Sequence, residues 1–216
     1  MEKNIKNQLL VIAKNVLPKD DIAHDFLHAK RVLTNALEIW KWEWADEDIL
    51  FPAALFHDVI VYPKNHPSRH LSQKESADEA AKILEEITEY PKEKIENVKR
   101  CIMDCSFTKW VKHDYLEWKV LQDADLLEAT WAISIMRTFS TTWQICRPFY
   151  YEDDPFCEKR EPESLKYAID LFYDRLLLAD KRMYTKTWKK IARKRIKFLK
   201  IFLKQLETEI YNIDNI

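Results

Sequence analysis

Histidines and aspartates that could bind a metal ion are concentrated in three short stretches of the chain. They are His24 and His28, then the adjacent pair His57 and Asp58, and finally Asp123 and Asp125. Imidazole nitrogens and carboxylate oxygens are the donors that divalent transition metals take at hydrolytic sites. One ion needs donors from several stretches, so we expect the three to meet in space.

The first two stretches place different demands on the backbone. His24 and His28 are four residues apart, so they share one face of a helix. His57 and Asp58 are neighbours and would diverge by about 100° on a regular helix, so they can share an ion only at a helix end or bend. A helix capped by Asp46 would carry the pair at its far end.

The chain between these residues has a helical period almost throughout, and strand signals are weak, which predicts an all-α protein. A capping box at Ser72 and Glu75 predicts the start of one helix. The segment 61–70 has two prolines and no regular spacing of apolar residues, so we expect a loop next to His57 and Asp58. The predicted helices cover about residues 2–16, 25–42, 46–56, 72–89, 91–105, 117–139, 164–178 and 181–210.

The composition excludes some classes of function. The 216 residues include no glycine, so neither the dinucleotide fingerprint nor the P-loop can form. The net charge of −1 gives no general attraction to polyanions. We therefore predict neither a nucleic-acid polymer nor a membrane as a partner. The basic C-terminal segment is predicted as a helix with a solvated face, with a membrane or nucleic-acid surface as the alternative.

The cysteines favour a reducing compartment. Only four occur, they are unevenly spaced, and the chain starts without a long apolar run. This usage is typical of the cytosol, so a cytoplasmic location is predicted. Cys101 and Cys105 could share a helix face, but no second Cys or Cys/His pair accompanies them, and buried thiols are expected.

Together the three stretches resemble the HD-domain metal-dependent phosphohydrolases, whose pattern is H, then HD, then a distant D. The H-x-x-R-V element is similar to residues 28–32, the apolar-HD element to 54–58, and the A-D-x-L element to 124–127. The resemblance is greatest to small bacterial cytosolic members, which share K-N-H-P-x-R, here at 64–69, and Q-D-A-D-x-L. It extends from about residue 20 to residue 180.

The resemblance implies an HD-domain helical bundle with a helical C-terminal extension. It implies a single domain over residues 1–216, with a core at about 20–140 and a C-terminal region at 141–216. It also implies a divalent metal ion, namely Mn, Mg, Co, Ni, Fe or Zn. The implied ligands are His28, His57, Asp58 and Asp125, with Asp123 as a competitor for the fourth place.

The implied activity is metal-dependent hydrolysis of a small phosphoester, namely a nucleotide. One version cuts a nucleoside or deoxynucleoside triphosphate to the monophosphate and pyrophosphate. The alternatives are a nucleotide 5′-phosphatase, a cyclic-nucleotide or alarmone hydrolase, and a degenerate nucleotide-binding HD domain without turnover. The oligomeric state stays open, a homo-oligomer included.

Further candidate residues surround the implied metal site. Arg69 and Glu75 join His57 and Asp58 as catalytic candidates, with Glu75 as a base or as a group that orients water. The candidates for holding substrate phosphates are His24, Lys64, His66 and Arg69. For the loop residues and for Glu75 the alternative is a solvated charge. For His24 it is a surface histidine or a hydrogen-bonded core histidine.

Two positions depart from the family pattern. Members of this subgroup usually carry a histidine before S-F, where this chain has Cys105. They also usually show G-A-I-G after the D-A-D helix, where this chain has Trp131 in place of the first glycine. The second replacement fills space, so we expect it to alter the range of substrates.

Overall fold

Helices are the only regular structure in the part of the chain that the computed structural model describes, residues 1–63, 65–105 and 114–211. The all-α prediction is confirmed. Short 3-10 turns occur at Pro67–Leu71, Lys92–Lys94 and Leu176–Leu178. The α-helices are α1 (Lys3–Val16), α2 (Phe26–Glu43), α3 (Glu47–Phe56), α4 (Ser72–Glu86), α5 (Ile95–Met103), α6 (Leu116–Glu128), α7 (Ala132–Gln144), α8 (Asp170–Asp174), α9 (Ala179–Arg182) and α10 (Lys186–Tyr211).

The chain forms two compact units, Met1–Asp125 and Leu126–Ile216. The helix predicted over 117–139 is in fact two helices, α6 and α7. The hydroxyls of Thr130 and Ser134 donate to Leu127 O and Trp131 O, both at 2.6 Å, so they compete with the helical ladder at the break.

In the first unit, α3 is the central helix. Every residue from Ile49 to Phe56 is buried, and α3 packs against α1, α2, α4 and α5. A helix that is apolar on all sides must lie in the core. Its start is capped as predicted, because the Asp46 carboxylate accepts the Asp48 N–H at 2.9 Å.

Several helix ends differ from the sequence-based expectation. No capping box opens α4, because the Ser72 hydroxyl accepts the Tyr62 N–H at 3.3 Å and Leu71 is the N-cap. The helix predicted at 91–105 is a 3-10 turn followed by α5. The helix predicted at 164–178 is reduced to α8 and a 3-10 turn.

The second unit has its own apolar cluster, built by residues before α8, by α8 itself and by α10. Its buried members include Phe156, Ile169, Phe172, Leu199 and Leu203. The basic side chains of α10 lie mostly on its exposed face, as its amphipathic pattern predicts. Among the described helices, none is both long enough and apolar enough to cross a membrane.

Candidate metal centre

The start of α2 fixes His28. Asp25 is the N-cap of α2, and its carboxylate accepts the His28 N–H at 2.9 Å. This bond satisfies one of the free N–H groups at the helix start. The His28 side chain is fully buried and lies in the interior of the first unit.

His57 and Asp58 lie directly after α3, at a helix end, which is the geometry that a neighbouring pair requires. His57 is the C-cap residue, and its Nδ1 lies 2.9 Å from Ala54 O. Donation of the Nδ1 proton to this carbonyl fixes the tautomer and leaves a lone pair on Nε2. The helix end therefore places at the site a nitrogen that could bind a metal ion.

Asp125 comes from α6, and the backbone beside it is tied to α2. The Asn35 side-chain amide donates to Ala124 O at 3.1 Å. Asn35 follows His28 by two helical turns, so both residues lie on the same face of α2. One face of α2 thus supplies a site histidine and a hydrogen bond that places the last site carboxylate.

The four side chains converge. The Nε2 atoms of His28 and His57 are 3.3 Å apart. Asp58 Oδ2 lies 3.6 Å and 3.4 Å from these two nitrogens, and Asp125 Oδ1 lies 3.7 Å and 3.9 Å from them. Among the described residues, His28, His57 and Asp125 form a group with ligand atoms within 4.8 Å of one another, which fits a metal site.

The separations also fit the residues to a divalent ion. Bonds of roughly 2.1 Å place neighbouring donor atoms roughly 3 to 3.4 Å apart around one ion. The distances of 3.3 Å and 3.4 Å fall in this range and the other three, 3.6 to 3.9 Å, are slightly longer, so a small inward shift of the side chains would close the coordination. His28, His57, Asp58 and Asp125 are the residues that would hold the ion.

The electrostatics of Asp58 are consistent with such a site. Burial alone would raise the pKa of the Asp58 carboxyl. The adjacent His57 and His28 imidazoles outweigh this effect and hold the pKa well below its usual range. The carboxylate is therefore ionised, as a metal ligand must be.

Asp123 is fully buried and makes its own contacts, but the described group of ligand atoms contains Asp125 and not Asp123. His24 has a partner as well, since its Nδ1 lies 2.8 Å from Asp21 Oδ2. The His24 ring stands edge-on to His28, with centroids 5.8 Å apart. His24 therefore lies next to the site, with its ring held by Asp21.

The segment after Asp58 is attached to α4. The Ile60 N–H donates to the Ser76 hydroxyl at 3.0 Å, and the Tyr62 hydroxyl donates to Glu75 Oε2 at 2.7 Å. Glu75 is thus a half-buried carboxylate whose Oε2 is held by Tyr62.

The remaining rim candidates lie in or beside the 3-10 turn at Pro67–Leu71. His66 is exposed and is the N-cap of this turn, and Arg69 is half-buried within it. Lys64, the third rim candidate, lies outside the described residues.

The two departures from the family pattern lie in different units. Cys105 is buried in the first unit, and burial raises the pKa of its thiol, as do the charges of Asp125 and Asp58. A neutral thiol therefore stands near the two site carboxylates. Trp131 lies in the second unit, half-exposed, with the Arg195 guanidinium 4.7 Å from its ring centroid.

Sequence reasoning missed three residues that position the site. Asp21 and Asp25 each precede a site histidine by three residues, which is the spacing of a side chain that bonds a helix start. Asn35 could have been found as a polar residue on the face of α2 that carries His28. The hydrogen bond between Tyr62 and Glu75 could not be predicted from the residues next to either one in the sequence.

Known proteins resemble the chain in both sequence and fold. The HD domain family matches residues 25–130. The uncharacterised protein YpgQ of Bacillus subtilis (strain 168) is 30% identical over 211 residues, which cover 96% of this chain and 94% of YpgQ. The crystal structure of YpgQ in complex with ADP has a TM-score of 0.71 at 30% identity, covering 97% of this chain and 100% of that one.

A crystal structure of an HD-superfamily hydrolase from Bacillus thuringiensis has a TM-score of 0.67 at 26% identity, covering 97% of this chain and 98% of that one. The family match includes all the residues that converge on the site. The chain therefore belongs to the HD-domain phosphohydrolase superfamily.

Proposed function

We propose that the protein is a cytosolic, metal-dependent phosphohydrolase that acts on nucleotides. The observation that carries the proposal is the convergence of two imidazole nitrogens and two carboxylate oxygens from three separate stretches. The distances between the two nitrogens, and from each nitrogen to each oxygen, are 3.3 to 3.9 Å. Nitrogen and oxygen donors of this kind, with coordination positions left over, are typical of catalytic sites and not of closed structural sites.

Residues of three stretches would bind the ion, and a backbone carbonyl would orient one of them. His28, His57, Asp58 and Asp125 hold the ion, and Ala54 O keeps His57 in the tautomer that presents Nε2. A divalent ion in such a site lowers the pKa of water and neutralises charge on a phosphoryl group. Which of Mn, Mg, Co, Ni, Fe or Zn is taken depends on availability as well as on these donors.

Glu75 is proposed to orient the attacking water. Its Oε2 accepts the Tyr62 hydroxyl, so the carboxylate is held in one orientation and can present Oε1 to a water. Arg69, His66 and His24 are proposed to contact the phosphate oxygens, which no glycine-rich loop can hold in this chain. Lys64 is a further candidate by its place in the sequence.

A nucleotide substrate is supported by the relative YpgQ, whose crystal structure was obtained in complex with ADP. Within this class we favour cleavage of a nucleoside or deoxynucleoside triphosphate to the monophosphate and pyrophosphate. A 5′-phosphatase and a cyclic-nucleotide or alarmone hydrolase use the same donors and differ in how the pocket places the phosphorus. A nucleotide-binding domain without turnover is the non-enzymatic alternative, motivated by Cys105 and Trp131.

A product analysis separates these versions. The protein is incubated with a panel of nucleoside and deoxynucleoside triphosphates, monophosphates and cyclic nucleotides, each with added Mn, Co, Ni or Mg. Pyrophosphate is the expected product from triphosphates. Release of orthophosphate alone would contradict the pyrophosphohydrolase version and favour a phosphatase. If the metal-loaded protein binds nucleotides and hydrolyses none of the panel, the enzyme proposal is wrong.

A further inference from the structure

An aromatic pair of defined geometry lies a few residues beyond the site aspartate Asp58. The rings of Tyr62 and His66 are stacked, with centroids 4.7 Å apart and planes inclined by 10°. His66 is exposed, and one face of its ring is covered by Tyr62. Offset, near-parallel packing at this distance is a favourable arrangement of two π systems.

The pair is held from both sides by polar contacts. Tyr62 is fixed to α4, because its hydroxyl donates to Glu75 and its N–H donates to the Ser72 hydroxyl. His66 Nδ1 accepts the Ser68 N–H at 3.1 Å, and the His66 N–H donates to Pro63 O at 2.9 Å. The stack is therefore preformed, and a ligand that uses it pays little for ordering the rings.

The short chain between Asp58 and Tyr62 limits how far the stack can lie from the metal centre. Tyr62 follows Asp58 by four positions, so their Cα atoms are at most roughly 14 Å apart. A sugar and a phosphate chain span a gap on this scale between a nucleobase and the phosphorus that reacts. The His66 ring packs on Tyr62, and its exposed face offers a base a stacking surface that does not depend on the identity of the base.

We propose that the stacked rings of Tyr62 and His66 form a platform for the nucleobase of the substrate, with the base packing on the outer face of His66. This inference rests on the proposed nucleotide hydrolase function and adds a subsite to it. Tyr62 acts as the backing ring. The edge of the His66 ring, at Nε2, is left for a phosphate or a hydroxyl of the same ligand.

A matched pair of substitutions isolates the ring face. His66→Phe keeps an aromatic face and removes both nitrogens, whereas His66→Leu removes the face as well. We expect KM for nucleoside triphosphates to be about tenfold higher in His66→Leu than in His66→Phe. Inorganic tripolyphosphate has no base, so its KM should be the same in the two variants.

Two further comparisons complete the design. Tyr62→Phe and Tyr62→Leu both lose the hydroxyl that holds Glu75, so the difference between them reports the backing ring alone. His70→Leu is the control for surface changes, because His70 is an exposed histidine of the same 3-10 turn whose Nδ1 is bonded to Pro67 O. It should leave both KM values unchanged.

Equilibrium binding tests the proposed nucleobase platform without relying on turnover. A 2-aminopurine nucleoside triphosphate should lose fluorescence on binding to His66→Phe and lose much less on binding to His66→Leu. Equal quenching in the two variants, or an equal KM difference with tripolyphosphate, would overturn the platform while leaving the hydrolase intact. Absence of hydrolysis with clear ring-dependent quenching would refute the proposed function and support the platform.

Discussion

The Nε2 atoms of His28 and His57 lie 3.3 Å apart in the interior of the first unit, although 29 positions separate the residues in the chain. His57 Nδ1 donates to Ala54 O, so the His57 Nε2 that faces His28 carries a lone pair. The half-buried carboxylates of Asp58 and Asp125 complete the cluster. Donor atoms this close together could all bind a single cation placed between them.

Substitution of His57 by alanine should therefore abolish tight metal binding. Even the loss of a group that merely orients a ligand costs 10- to 100-fold in metal affinity, so we expect a loss of roughly 100-fold or more for His57→Ala. The metal content after dialysis and a calorimetric titration with Mn measure the effect. His70→Ala, which alters an exposed histidine, is the control and should keep its metal. Equal metal content in the two variants would contradict the site.

Asp125→Asn and Asp123→Asn should have different consequences. Asp125 Oδ1 lies 3.7 Å from His28 Nε2, so the amide should weaken metal binding and activity with little effect on folding. Asp123 is fully buried and has partners of its own, so its replacement should cost about 1 to 3 kcal/mol of folding free energy. Thermal unfolding and metal titration of both variants separate the two effects. A loss of metal only in Asp123→Asn would reverse the assignment.

Some of this site could be predicted because local rules dominate there. An adjacent His-Asp pair after a buried apolar run must lie at a helix end to share an ion, and His57 and Asp58 do lie directly after α3. The helix itself could be recognised because its residues are apolar on every side. These are properties of a few neighbouring residues.

The rest depended on contacts between distant residues. The Ser72 hydroxyl matched a capping box, but it accepts the N–H of Tyr62 from a segment ten positions earlier. The bond from Asn35 to Ala124 O joins residues 89 positions apart. Single-sequence patterns carry no information on such partners. The break after α6 was missed for a different reason, since the Thr130 and Ser134 hydroxyls bond carbonyls three residues earlier, and the apolar period does not show this local competition.

The ion pair between Arg160 and Asp170 should make the second unit sensitive to acid. Asp170 is fully buried, and burial alone would raise the pKa of its carboxyl. Bonds from Arg160, from the Glu163 N–H and from the Cys157 thiol outweigh burial and lower that pKa. The carboxyl is easier to ionise in the folded state, so its stabilisation is complete above the unfolded pKa of about 3.9 and is lost as the pH falls below it.

Asp170→Asn should accordingly destabilise the protein at pH 7 by about 3 kcal/mol, because Arg160 loses its buried partner. The variant should also lose less stability than the natural protein when the pH is lowered from 5 to 3. Urea unfolding at several pH values measures both quantities. Lys166→Ala removes an exposed ion pair with Glu163 in the same unit and should change stability by less than about 0.5 kcal/mol. Equal effects of the two substitutions would show that burial adds nothing to the Asp170 pair.

Thiol reactivity tests the packing around Cys105. Cys101 and Cys105 are buried, and burial raises the pKa of both thiols, so neither should react with an aromatic disulfide reagent at pH 8. Burial and the charge of Asp170 raise the pKa of Cys157 to about 12, which leaves almost no thiolate at that pH. Cys146 is exposed, so the native protein should show one fast thiol and the unfolded protein four. Cys146→Ser should show none that is fast. A fast thiol remaining in that variant would mean that one of the other three is more accessible than its packing indicates, and mass spectrometry of the labelled peptide would identify it.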